Sequence, residues 1–78
     1  MDTLEEIQKI IAANLGVLPT SIHFESNTSE LAEWDSTRHL LIVMDIEQKF
    51  GFKFGLEEIA GLDSVQKIMR AIEKKVAS

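Results

Sequence analysis

Residues 33–51 read EWDSTRHLLIVMDIEQKFG, and this stretch decides the fold. The spacing predicts a helix that opens at Asp35 or Ser36, runs to Phe50 and ends before Gly51. Aspartate and serine cap helix starts, because their side-chain oxygens accept the N–H groups that a first turn leaves unpaired. Ile42, Val43, Ile46 and Phe50 recur at helical spacing and form one apolar stripe for the core. Leu40, Leu41 and Met44 fall outside that stripe. A helix apolar beyond its core face has something further to cover: either the loop before it or a partner surface explains the excess.

Upstream, Leu4, Ile7, Ile11 and Leu15, with Ile10 beside them, predict a first helix that Gly16 closes and Pro19 confirms as ended. Thr3 and Glu6 have capping-box spacing at its start. Between Gly16 and Asp35 the periodicity vanishes, and a connection this long in a small domain is either functional or well packed. Ile22, Phe24 and Leu31 are expected to pin it to the core, with a short helical turn near Ser29 to Ala32. Downstream, Phe52, Phe54 and Leu56 alternate, but no comparable strand exists to pair with them, so they read as an extended link into a short helix, Leu56 to Ala60. Asp63 and Gln66 repeat the capping-box spacing before a last helix striped by Val65, Ile68, Met69, Ile72 and Val76. Lys74 and Lys75 suit its negative end. The expected fold is all-α: a small four-helix bundle of three longer helices and one short one, with a long loop between helices one and two.

The 78 residues make one domain, 1–78, with a modest core. Eight basic against 13 acidic residues leave a net charge of −5, which argues against nucleic-acid binding. No apolar run approaches the roughly 20 residues that span a bilayer, and the acidic start does not read as a signal peptide. A soluble, cytoplasmic monomer is expected. No cysteine is present, so disulfides, thiolate metal sites and a protein thiol nucleophile are excluded together.

An enzyme is hard to assemble from this inventory. His23 and His39 lack a third metal ligand at a diagnostic spacing, and no metal is expected. Ser36 and His39, three apart on one helix, leave no room for an aligned orienting acid. The carboxylates call for no acid–base pair, and Gly51, Gly55 and Gly61 do not build a phosphate loop. Ser36 nevertheless stands out. At a helix start its hydroxyl is exposed, and a phosphate on it would face unpaired N–H groups and the positive end of the helix dipole. Ordinary capping by Asp35 and Ser36 explains the same residues without any function.

The whole chain resembles the acyl carrier protein family, whose attachment serine sits in an Asp-Ser-Leu-like motif opening the second helix. The match here is Asp35-Ser36-Thr37, preceded by Trp34 and continued through Leu41-Ile42-Val43-Met44-Asp45-Ile46-Glu47 to Lys49-Phe50-Gly51-Phe52. The resemblance implies a non-catalytic carrier. Ser36 would receive 4′-phosphopantetheine from coenzyme A through a phosphopantetheinyl transferase, with Asp35 helping to position that complex. The arm's thiol would hold an acyl, aminoacyl or polyketide unit, exchanged with an acyl ligase, ketosynthase or acyltransferase. The rival readings are an unmodified helical interaction module using Leu40, Leu41 and Met44, an aminoacyl or peptidyl carrier of a nonribosomal-type pathway, and a hydrolase using Ser36.

Two departures matter. Thr37 replaces the usual leucine, and Arg38 and Leu41 occupy a face where fatty-acid carriers tend to place acids. Residues 36–50 balance Arg38 and Lys49 against Asp45 and Glu47, whereas residues 25–35 carry Glu25, Glu30, Glu33 and Asp35. This pattern points to a specialised pathway. The docking surface implied by the resemblance comprises Glu33, Asp35, Asp45, Glu47, Glu57 and Glu58 around Met44, with Thr37, Arg38 and Leu41 beside the serine. Ile42, Val43, Ile46, Phe50, Ile59, Ile68 and Ile72 are expected either to pack the core or to line a space for an acyl chain.

Overall fold

The first helix, α1 (Thr3–Leu15), is capped by Asp2, whose side chain accepts the Leu4 N–H at 3.1 Å. The cap expected at Thr3 therefore lies one residue earlier: aspartate, a strong cap former, takes the cap position and Thr3 enters the first turn. Gly16 ends the helix at φ 73°, a left-handed conformation glycine adopts without a Cβ penalty, and Gly51 does the same at φ 77° for α2 (Ser36–Phe50). A 3₁₀ turn at Pro19–Ser21, in addition to the expected helices, opens the long connection. A short α3 (Leu56–Ala60) and α4 (Val65–Ala77) complete the chain. The structure, a computed structural model, describes residues 2–77, with nothing stated of the Ala77 side chain. Its elements are those of the expected all-α bundle, three longer helices and a short one, with no strand among the described residues.

Ile7, Ile11, Ala12 and Leu15 of α1 meet Ile42, Val43 and Ile46 of α2 and Val65, Ile68 and Ile72 of α4. Full burial of such side chains stabilises the fold by roughly 1.5–3 kcal/mol each. A radius of gyration of 11.3 Å is what about 78 compactly folded residues give. Phe50 and Met69 reach only the edge of this core, and Val76 is exposed, so the stripes are narrower at their ends than periodicity suggests.

The loop between α1 and α2 is held by different residues from those expected. Ile22 is buried and Leu31 half-buried, but Phe24 remains 39% exposed. Trp34 takes its place, only 4% exposed. Backbone pairing completes the attachment: an antiparallel bridge joins Asn27 to Ser64, the Thr28 N–H donates to the Asp63 carbonyl, and the Val65 N–H donates to the Ser26 carbonyl. Buried Ser26 also accepts the His23 N–H through its hydroxyl. The Ser29–Ala32 turn lies slightly earlier, where Asn27 accepts the Ser29 and Glu30 N–H groups with its side chain and the Leu31 N–H with its carbonyl. At α4, Ser64 rather than Asp63 is the cap, accepting the Lys67 N–H at 3.1 Å, while Asp63 pairs with the Lys67 ammonium at 3.0 Å.

Candidate functional site

Ser36 is the first residue of α2 and is exposed. Asp35 caps the helix, its Oδ1 accepting the Arg38 N–H at 2.9 Å, and the His39 N–H donates to the Asp35 carbonyl. The Asp35 cap leaves Ser36 and Thr37 with the unpaired N–H groups of a first turn. Among the described residues the Ser36 hydroxyl has no hydrogen-bond partner. The hydroxyl thus stands free beside two unsatisfied donors and a helix N-terminus, an arrangement that accommodates a phosphodiester without burying its charge.

An open cleft of about 610 Å³ adjoins the serine, lined by Trp34, Ser36, His39 and Leu40 on one side and Thr28, Ala60 and Asp63 on the other. Its wall is fixed by a polar relay. The Trp34 indole N–H donates to His39 Nδ1 at 2.9 Å, and His39 Nε2 lies 2.8 Å from the Ile59 carbonyl. Since Nδ1 accepts and the carbonyl can only accept, the ring must carry its proton on Nε2. The relay was not legible from spacing. A tryptophan at the end of a polar loop, five residues before a histidine, was the available signal.

The expected docking residues divide into two groups. Glu33, Thr37, Leu41, Met44, Asp45 and Glu57 are exposed, with Met44 at 61%. Arg38 is exposed but engaged: its guanidinium pairs with Asp35 Oδ2 at 3.1 Å and donates to the Glu33 carbonyl. Asp45 accepts from the Asn14 amide at 2.8 Å, which ties α2 to α1. Glu47 does not present a free charge. Its side chain is 11% exposed, accepts the Phe54 N–H at 2.7 Å and faces the Lys53 ammonium at 3.9 Å. Glu58 accepts the Gly55 N–H at 2.8 Å and pairs with Lys75 at 2.9 Å, and those two contacts, the backbone donor foremost, hold its carboxyl below the ordinary value of 4.5. Ile42, Val43, Ile46, Ile68 and Ile72 are packed core, while Ile59 and Phe50 lie at its edge. No group of three or more potential metal ligands occurs among the described residues, and no described helix is long and apolar enough to cross a membrane.

Residues 5–72 match the family model for a phosphopantetheine attachment site. The chain belongs to the acyl carrier protein family. It is 31% identical over 77 residues to the acyl carrier protein of Thermosynechococcus vestitus, covering 99% of this chain and 95% of that one. The acyl carrier protein of Buchnera aphidicola is 36% identical over 72 residues, with 92% of each chain covered. Acyl carrier protein 3 of Ralstonia nicotianae is 35% identical over 75 residues, covering 96% and 86%. An acyl carrier protein is a carrier and not an enzyme, which removes the hydrolase reading, and its prosthetic group is a covalently attached 4′-phosphopantetheine, which removes the unmodified module. As a family member it works with a phosphopantetheinyl transferase and with biosynthetic enzymes. The free hydroxyl and unsatisfied amides at the start of α2 fit that group.

Proposed function

We propose that Ser36 is the attachment residue and that the chain carries acyl intermediates of a specialised pathway. The observation that carries this reading is the unpartnered Ser36 hydroxyl at the first position of α2, on the lip of an open cleft. Attachment forms a phosphodiester between Ser36 Oγ and the pantetheine phosphate of coenzyme A, with the nucleotide portion leaving. When bound, the group supplies a terminal thiol for a thioester, and the chain offers no competing thiol. Asp35 holds the first turn in place through its cap to Arg38 and so fixes the backbone that presents Ser36.

Partners of this reading are an acyl ligase, ketosynthase or acyltransferase that docks on α2 beside Ser36. Exposed Leu40, Leu41 and Met44 give the apolar centre, and Glu33, Asp45 and Glu57 give the acidic rim. Pairing of Arg38 with Asp35 partly offsets the acid nearest the serine, which lowers attraction to a strongly basic partner. That favours dedicated partners over general fatty-acid enzymes.

Incubation with coenzyme A, magnesium and a broad-specificity transferase tests the attachment. Intact mass should rise by one arm in the wild type and stay unchanged in Ser36→Ala. Addition that persists in Ser36→Ala overturns the assignment.

A further inference from the structure

Helix α3 is weakly anchored by packing. None of its five residues is buried, Ile59 is only half-buried, and Leu56 is 87% exposed. Elements with so little apolar burial belong to the low-stability end of a fold. Yet α3 forms a wall of the cleft beside Ser36 through Ala60, and it displays Leu56 and Glu57 at the surface. Two side chains from longer helices hold it. Lys75 of α4 pairs with Glu58 at 2.9 Å, and His39 of α2 donates to the Ile59 carbonyl at 2.8 Å. The second link lies one helical turn after Ser36 and is itself fixed, because the Trp34 indole N–H occupies Nδ1 and leaves Nε2 as the donor.

We propose that His39 is a positioning residue: bridging Trp34 and the Ile59 carbonyl, it holds α3 in register with Ser36 so that partner enzymes meet α2 and α3 as one preformed surface. This rests on the carrier reading above. His39 touches no reacting atom. Its effect is on the cost of ordering α3 when a partner binds, since a surface already in its bound arrangement loses less freedom on docking. Such an effect falls on KM and leaves the chemical step at Ser36 unchanged. Leucine at position 39 fills similar space without either hydrogen bond. Glutamine can replace both, its amide N–H₂ donating to the Ile59 carbonyl and its oxygen accepting from Trp34.

The test is the steady-state kinetics of pantetheinylation by one transferase on the full chain, read by mass, for wild type, His39→Leu and His39→Gln. Amide hydrogen exchange at residues 56–61 is measured in parallel. His39→Leu should raise KM about tenfold with kcat unchanged, the scale of about 1.4 kcal/mol, and should speed exchange in α3. His39→Gln should restore both. An unchanged KM in His39→Leu with α3 exchanging faster overturns the proposal, because the link is then structural only. A fall in kcat at constant KM overturns it as well. If His39→Leu does not fold, His39→Asn serves instead, since its shorter amide can still accept from the Trp34 indole N–H but does not reach the Ile59 carbonyl. A severalfold rise in KM supports the proposal, and wild-type KM overturns it. Failure of the wild type to take up any arm is a different result, which sinks the carrier reading itself.

Discussion

The Arg38 guanidinium lies 3.1 Å from the Asp35 carboxylate, so the cation two residues after the proposed attachment serine and the acid just before it partly cancel. Both side chains are about half exposed, and a pair in that setting contributes at most about 1 kcal/mol to stability. Its larger consequence is for encounter with charged partners, which rim charges govern through the association rate and its salt dependence.

Replacing Arg38 by Asp together with Leu41 by Glu should therefore speed malonyl transfer onto the pantetheinylated protein by a general malonyl transacylase. The gain should be on the order of a fewfold at low salt and should shrink at moderate salt as screening shortens the reach of surface charge. Transfer rates at two ionic strengths check this. Equal rates for wild type and double mutant remove the case for a specialised partner set.

Asp35 also has a separable structural part, because its Oδ1 caps the Arg38 N–H. Asp35→Asn keeps an accepting oxygen and loses only the exposed ion pair, so its stability should stay within about 1 kcal/mol of wild type. Asp35→Ala loses the cap and should cost about 0.5–2 kcal/mol. Urea melts of the three proteins decide; equal midpoints for Asn and Ala variants would show that the cap contributes nothing.

Most of the helical architecture was legible because it is periodic. The stripe through Ile42, Val43 and Ile46 and the terminal glycines Gly16 and Gly51 located the ends of α1 and α2 to the residue and the start of α2 to one of two residues. Periodicity overran only at the stripe ends, Phe50, Met69 and Val76, and the other parts missed are non-periodic. Trp34 lies in a polar loop, and its burial depends on His39 accepting its N–H, a tertiary pairing that local spacing does not encode. The loop is attached through the backbone of Asn27, Thr28 and Ser26 to the start of α4, and backbone pairing across so many residues leaves no side-chain signature. Glu47 reads as a surface acid by charge alone, yet the unpaired Phe54 N–H draws it inward. At the candidate site, Ser36 and Asp35 were visible because capping chemistry is local, whereas the cleft and the relay behind it form only when α3 folds against α2.

Glu58 should make the protein's acid sensitivity partly removable. Its folded-state pKa is lowered by the Gly55 N–H and by Lys75, so the ionised form is favoured by folding. As pH falls, the unfolded chain takes up this proton first. The contribution to stability is complete well above the ordinary value of 4.5 and is lost as pH falls through the lower folded value. Wild type should be more stable than Glu58→Gln at neutral pH, with the gap closing under acid. Denaturant midpoints of both proteins across a pH series check the sign, and a gap that stays constant would mean the carboxylate is not the titrating group.

Loading an eight-carbon acyl chain tests whether the bundle also shelters cargo. Each methylene removed from water stabilises by roughly 0.8 kcal/mol, so an octanoyl chain gains several kcal/mol by leaving solvent. Two destinations compete. The open cleft beside Ser36 offers Leu40 and Ala60 without disturbing the core. The interior offers Ile42, Ile46, Ile68 and Ile72, but these are already packed, and inserting carbon among them costs typically 1–3 kcal/mol of overpacking. For eight carbons the gain exceeds that cost, and half-buried Ile59 is the side chain with room to yield. The expected result is that methyl resonances of Ile42, Ile46, Ile59 and Ile68 shift between the acetyl and octanoyl forms, while that of exposed Leu18, in the loop after α1, moves little. Shifts confined to Leu40, Ala60 and Thr28 would place the chain in the cleft and show that the core packing wins.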